Sequence, residues 1–281
     1  MSENVVRLLH LSDLHFGPPY VPEAGEALLR QLPRWDPGAI VVSGDFTQRA
    51  KEEQFREARA FLDRLPDVPT VVVPGNHDVP LYRLMERVFR PRELYRKYIS
   101  SELDRVWRLP GLVMIGLDST SPRRSITNGR IHLDQLAFCD SVFREAPPED
   151  IRIVVTHHHF APAPDYERDQ TMPKARRALD RFVEMGVEMI LGGHLHRAYI
   201  GSSLDVYPGE RPDRGIIIVQ SGTTTSRRGR AREREKNTLN VIDLDRETFR
   251  VTHFLFNEGQ EAFLPSSRHI FPRPGRPLPE D

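Results

Sequence analysis

Short apolar runs rich in Val, Ile and Leu recur at Val5 to Leu11, Ala39 to Val42, Thr70 to Val73, Leu112 to Leu117, Ile151 to Val155 and Glu188 to Leu191. Each reads as a buried strand. Helical patterns lie between them: Phe55, Ala58, Phe61, Leu62 and Leu65 share one helical face, while Lys51, Glu52, Arg56 and Glu57 fall elsewhere. Further helices are predicted at Glu23 to Leu32, within Leu81 to Ser100, at Leu133 to Arg144 and at Lys174 to Met185. This alternation predicts an α/β layered core.

From Tyr199 onward the pattern changes. Runs at Gly215 to Gln220, Thr238 to Leu244 and Thr248 to Phe256 alternate with turn-prone segments and no long helix, which predicts a second, largely antiparallel sheet. Pro265, Pro272, Pro274, Pro277 and Pro279 exclude a regular helix or a central strand from the last stretch, which is expected to be a wrapping or disordered tail. The expected organisation is one catalytic domain over residues 1–257 and a proline-rich tail over 258–281.

Composition narrows the chemistry. Acidic and basic residues balance at 40 each in 281 residues, so no global charge points to nucleic acid or an anionic membrane as partner. Lys51, Lys97, Lys174 and Lys236 are the only lysines, and this arginine bias discounts any argument from an arginine cluster alone. Cys139 is the single cysteine, which rules out an intramolecular disulfide and a thiolate metal cage. A metal site must then use imidazoles and carboxylates. No apolar run approaches the ~20 residues that span a bilayer, and a soluble cytoplasmic protein is expected.

Candidate ligands sit at the C-terminal ends of the predicted strands, where open α/β sheets place their sites. The successive strand ends carry Asp13-Leu-His15, Gly44-Asp45, Gly75-Asn76-His77-Asp78, His157-His158-His159, and Gly193-His194-Leu195-His196. Any one of these is weak evidence, because a lone Asp-x-His or His-x-His arises often by chance. Five strand ends in this order, with glycines where the backbone turns tightly, are hard to reconcile with a purely structural role.

The whole set resembles the calcineurin-like metallophosphoesterase superfamily, and within it the cyclic-nucleotide phosphodiesterase-like branch, over roughly residues 5–255. The resemblance implies a four-layer α/β/β/α sandwich of two mixed β-sheets flanked by helices. It implies two transition-metal ions, of Mn, Fe, Zn or Co. One would be held by Asp13, His15 and His196 and the other by Asn76, His157 and His194, with Asp45 bridging them. His159 stands where the family often has proline, and His157 is taken as the ligand of the triplet by analogy, with His158 beside it or facing substrate. The implied activity is in-line hydrolysis of small phosphodiesters by a hydroxide held between the metals, with 3′,5′-cyclic nucleotides among the substrates. Two divalent ions, two aspartates and that hydroxide leave about one positive charge, which suits phosphate esters generally. A monoesterase, a nucleotide or lipid-linked pyrophosphohydrolase, and a non-catalytic scaffold of the same fold are the competing readings.

His77, beside Asn76 but not needed as a ligand, is the candidate for stabilising the transition state or protonating the leaving oxygen. Asp78 either orients His77 or serves as a turn residue before Val79-Pro80. The segment 79–107, with Tyr82, Phe89, Tyr95 and Tyr98, is either a substrate-facing cap or an amphipathic insertion that packs its aromatics into the core, as burial preferences favour. Arg227, Arg228, Arg230, Arg232 and Arg234 are interrupted by Glu233 and Glu235 and read as a solvated loop rather than a phosphate-binding cluster. His10, His132, His253 and His269 fit no motif. The expected partner is a small phosphodiester, without nucleic acid or membrane. The oligomeric state stays open, a dimer included.

Overall fold

The computed structural model describes residues 6–275 apart from 124–126, 163–169, 208–214 and 231–232. In chain order the elements are β1 (Val6–Leu11), α1 (Pro22–Trp35), β2 (Ala39–Val42), α2 (Glu52–Leu62), β3 (Thr70–Val72), α3 (Leu84–Phe89) and α4 (Glu93–Tyr98). There follow β4 (Arg105–Leu109), β5 (Leu112–Gly116), α5 (Leu133–Glu145), β6 (Ile151–Val155), α6 (Ala175–Glu184) and β7 (Met189–Gly192). The last are β8 (Tyr199–Ser202), α7 (Ser203–Val206), β9 (Ile217–Gln220), β10 (Thr238–Leu244), β11 (Thr248–Asn257) and β12 (Ala262–Pro272).

Two six-stranded sheets result, ordered β12-β11-β10-β1-β2-β3 and β4-β5-β6-β7-β9-β8. Both are mixed. β1, β2 and β3 run parallel while β10 joins β1 antiparallel; β5, β6, β7 and β9 run parallel between antiparallel edges β4 and β8. The apolar runs are continuous because each central strand is covered on both faces. In β1, Leu8 points into a core shared by the two sheets, with Val41, Ile153, Leu191 and Ile242. Leu9 and Leu11 point to the outer side, against Leu28 and Phe55 of the helices. On the far side of the second sheet, Ile115 and Val154 pack with Phe143 and Phe182 of α5 and α6. The layers are therefore helix, sheet, sheet, helix, as the sequence resemblance implies.

The structure corrects two expectations about the late part of the chain. The strands after Tyr199 do not form a sheet of their own: β8 and β9 complete the second sheet, with β9 parallel to β7, and β10 to β12 extend the first beside β1. The nearly fully buried run of β10 explains this, since such a strand needs neighbours on both sides and cover on both faces. Residues 262–272, expected within an irregular tail, form β12. It is an edge strand, the position in which prolines are tolerated, and Pro265 lies opposite Phe254 where the register shifts. Gln31 of α1 closes a two-way bond with the Phe263 backbone, at 3.0 and 2.6 Å. Beyond the strand, buried Arg273 pairs with Glu188 at 2.9 Å and donates to the Glu149 carbonyl at 2.8 Å, tying this end to the second sheet.

Segment 79–107 divides between its two readings. Tyr95 of α4 is buried and Tyr98 stacks on Phe55, whereas α3 buries no side chain, and Phe89 at its end and Tyr82 just before it are exposed. No described helix is long and apolar enough to cross a membrane.

Candidate metal centre

The ends of β1, β2, β3, β6 and β7 bring the seven proposed ligands onto one rim. To turn side chains inward immediately after a strand, the backbone enters the left-handed region: φ is 52° at Asp13, 50° at His15, 53° at Asp45, 73° at His194 and 55° at His196. Each such residue costs on the order of 1–3 kcal/mol, and Asp and His are among the non-glycine types most often found there. The neighbouring loop holds these turns in place, with Asp13, His15 and Phe16 donating to the carbonyls of Gly44, Asp45 and Phe46 at 3.0, 2.9 and 2.8 Å. Two glycines are required by contact. A Cβ on Gly44, whose φ is +98°, would lie 2.5 Å from His157 Nδ1, and one on Gly75 would lie 2.1 Å from Asp45 Oδ1.

The side chains fall into two half-sites that meet at Asp45. In the first, Asp13 Oδ1 lies 3.5 Å from His15 Nε2 and 3.2 Å from His196 Nε2, and those two nitrogens are 3.1 Å apart. In the second, Asn76 Oδ1 lies 3.2 Å from His157 Nε2 and 2.9 Å from His194 Nδ1. Asp45 Oδ2 faces both, at 3.7 Å from His15 Nε2 and 3.3 Å from His157 Nε2. Asp13, His15, Asp45 and His196 alone offer ligand atoms that all lie within 4.8 Å of one another, and all four are buried.

This donor set fits a cation. Each aspartate uses one oxygen on protein donors: Asp13 Oδ2 accepts from the Ser12 hydroxyl and the His194 N–H, and Asp45 Oδ1 accepts from the His77 N–H at 2.8 Å. The other oxygens, Asp13 Oδ1 and Asp45 Oδ2, are buried without a hydrogen-bond partner. The imidazoles follow suit. His15 Nδ1 faces the Thr47 carbonyl at 3.4 Å, His196 Nδ1 the Arg228 carbonyl at 3.1 Å and His157 Nδ1 the Ser43 carbonyl at 2.8 Å, so each Nδ1 is placed to donate. The opposing Nε2 lone pairs of His15 and His196 are then brought together, an arrangement that only a positive charge relieves. Outer carbonyls holding the tautomer are the usual support of metal-ligating histidines.

The pocket's field agrees. Burial pushes the Asp13 carboxyl up, but the surrounding imidazoles of His15, His196 and His157 outweigh it, holding the group well below the ordinary carboxylate range. Burial lowers His15 to about 4, keeping it neutral. At His157 burial acts downward too, yet Asp45 and Asp13 prevail and raise the imidazole to about 9. Negative charge focused on one spot is what a divalent ion would neutralise.

The structure places the remaining candidates differently from one another. His77 lies against the first half-site, its ring 4.9 Å from that of His15 in an edge contact, and its Nδ1 bonds to the Gln48 carbonyl at 2.8 Å. Asp78 does not orient it. Its carboxylate accepts from the backbone N–H groups of Phe46, Thr47 and Gly75 and from the Thr47 hydroxyl, so Asp78 stitches the loop after β2 to the loop after β3. Burial and the charge of Asp45 raise this carboxyl against those bonds. His158 bonds to Ser119 at 2.8 Å, and His159 stacks on His194 at 5.6 Å. His10 is buried on Ser43 and His253 bonds to Asn240.

Gln48, which the sequence did not single out, and Arg228, read from sequence as part of a solvated loop, join the rim. Gln48 holds His77 through its backbone and Arg228 through its side chain, with Arg228 Nη1 3.0 Å from Gln48 Oε1. Arg228 is half-buried rather than solvated, and it lies in the loop after β9, whose run ends at the same rim as β7. That shared strand end is the signal that could have marked it.

The fold is a four-layer α/β sandwich with a buried Asp/His cluster that could hold a divalent ion at its rim. A family model described as calcineurin-like phosphoesterase matches residues 6–198. The chain belongs to the calcineurin-like phosphoesterase family, and its family model supports a hydrolase acting on phosphate esters. Similar solved structures include a purple acid phosphatase, PPD1, from yellow lupin (Lupinus luteus) seeds, at 12% identity and TM-score 0.70, with 98% of this chain covered. The chain spans 55% of that protein's length. A dimetal phosphatase from Danio rerio matches at 12% identity and TM-score 0.61, covering 88% of this chain and 95% of its own. PhoD matches at 8% identity and TM-score 0.65, covering 94% and 72%. Comparison with curated proteins found no match.

Proposed function

We propose that this chain is a dinuclear metal-dependent phosphodiesterase acting on small phosphodiesters, with cyclic nucleotides as candidate substrates. One observation supports the dinuclear reading above the others: Asp45 Oδ2, buried and without a hydrogen-bond partner, faces a half-site on either side. Asp13, His15 and His196 would hold one ion, Asn76, His157 and His194 the other, and Asp45 both. The mixture of imidazole, carboxylate and amide oxygen suits Mn, Fe, Zn or Co. When bound, the pair would supply Lewis acidity toward a phosphoryl oxygen and lower the pKa of water.

The protein's own part is positional. Asp45 also accepts the His77 N–H, and His77 Nδ1 donates to the Gln48 carbonyl. Nε2 would then serve the leaving oxygen or charge developing on the phosphoryl group in the imidazolium form, which burial disfavours and the charge of Asp45 favours. Asp78 contributes indirectly, by holding the two loops that carry Asp45 and His77.

The diester preference comes from the motif resemblance and is decided by a substrate panel on metal-reconstituted protein. The panel comprises an aryl diester, an aryl monoester, 3′,5′- and 2′,3′-cyclic nucleotides and a nucleotide pyrophosphate. We expect kcat/KM for the preferred diester to exceed that for the monoester by at least ~10-fold, a margin of about 1.4 kcal/mol in transition-state binding. Equal or better turnover of the monoester would replace this reading with a phosphomonoesterase.

A further inference from the structure

Arginines in this chain are commonly matched by acids: Arg64 with Glu26, Arg92 with Asp118, Arg181 with Glu184 and Arg273 with Glu188. The group beside the candidate metal centre is an exception. Arg228 donates to the neutral amide oxygen Gln48 Oε1, Arg49 lies over the Tyr82 ring at 4.9 Å, and the Arg230 backbone N–H donates to the His196 carbonyl at 2.9 Å. Among the described residues no carboxylate forms an ion pair with any of the three. Of the two acids of their loop, Glu233 is turned inward, accepting from the Ala198 N–H at 2.9 Å and the Thr238 hydroxyl at 3.3 Å and facing His253 at 3.5 Å, and Glu235 is exposed.

Arg228 is also fixed in place. Its carbonyl accepts from His196 Nδ1 at 3.1 Å, and its guanidinium is held by the same glutamine whose carbonyl holds His77. A half-buried guanidinium without an acid is an uncompensated charge, and a guanidinium is well shaped to bind phosphate or carboxylate. Burial lowers its pKa, Asp45 and Asp13 raise it, and the like charges of Arg230 and Arg49 lower it again. The two aspartates would be engaged by metal ions in the working protein, which leaves Arg228 to an external anion.

We propose that Arg228, with Arg49 and Arg230 at its margin, forms an anion subsite for a second negatively charged group of the substrate, on the side where His77 meets the leaving oxygen. Among small phosphoesters this favours one that carries a further phosphate or a carboxylate, and it ranks such charged esters above the simple cyclic nucleotides of the proposed function. The assignment of the leaving side rests on the phosphoesterase reading; the binding of a second anion does not.

The test therefore has a binding arm and a turnover arm, both on the metal-loaded full chain. In calorimetric titrations, wild type is expected to bind 3-phosphoglycerate ~10-fold more tightly than glycerol 3-phosphate, the scale of one charge-assisted contact. Arg228→Ala should reduce that preference to less than ~2-fold with metal content unchanged, and Arg228→Lys should keep part of it, since a point charge replaces the fork. In turnover, Arg228→Ala should lower kcat/KM for a nucleotide pyrophosphate ~10-fold more than for an aryl diester, mainly through KM. No preference in wild type, or a preference that survives Arg228→Ala, would overturn the subsite. Equal losses on both turnover substrates would overturn its placement on the leaving side. Absence of hydrolysis in wild type would count against the phosphoesterase reading, while the binding preference would still decide the subsite.

Discussion

Asp45→Ala is expected to lower metal binding at both half-sites and to reduce turnover further than loss of any supporting residue, beyond the ~10–100-fold that removal of an outer-shell partner produces. The cause is geometric. Asp45 Oδ2 is the one carboxylate oxygen that faces both His15 and His157, and no other described acidic oxygen is placed between the half-sites. Asp45→Asn separates charge from shape, because an amide retains an oxygen to accept the His77 N–H and tolerates the left-handed backbone at φ 53°. It should keep the fold and still bind metal more weakly. Metal analysis after gel filtration with kcat/KM on the preferred ester checks both variants. Full metal content in Asp45→Ala would remove the bridging role.

His77→Ala is expected to separate metal binding from turnover. The His77 ring bonds to the Gln48 carbonyl and makes an edge contact with His15, but none of its ring atoms is needed to complete either half-site. Its backbone N–H, the donor to Asp45, survives the substitution. Metal content should be unchanged, and kcat should fall by ~10²–10⁴, the usual range for a positioned general acid or charge-stabilising group. A substrate with a good leaving group, such as an aryl ester, should lose less than an alkyl ester if the ring protonates the leaving oxygen. Equal losses would assign it to the phosphoryl oxygens instead. Wild-type turnover in His77→Ala would exclude both roles.

The strands were legible where burial is two-sided. β1, β2, β5, β6 and β7 lie between helices and the facing sheet, so their sequences are nearly unbroken Val, Ile and Leu. Of the edge strands only β3 was. β4 interleaves exposed Arg105 and half-buried Val106 with buried Trp107, β8 is half-buried throughout, and β12 contains prolines that only an edge position permits. Which sheet a late strand joins depends on long-range pairing, such as Leu9 with Val241, and no local pattern carries that information.

The ligand positions were legible for a local reason. At five of the seven positions the side chain turns inward through a left-handed backbone, which favours the residue types seen at Asp13, Asp45 and His194. Asp78 was not, because its bonding partners at Phe46 and Thr47 are some thirty positions away and only the folded loops reveal them. Arg228 was hidden for the same reason. Its meaning comes from Gln48 and His196, and its own neighbourhood in sequence is a run of charges that resembles any solvated loop.

The central claim is that Asp45 joins two half-sites into one dinuclear centre, and manganese loading followed by electron paramagnetic resonance tests it most directly. Metal-free protein titrated with Mn(II) should bind two ions per chain, and the spectrum at two equivalents should show a spin-coupled pair, which Asp45→Ala abolishes. Saturation at one ion per chain, or two ions that give only the signal of isolated Mn(II), would contradict it.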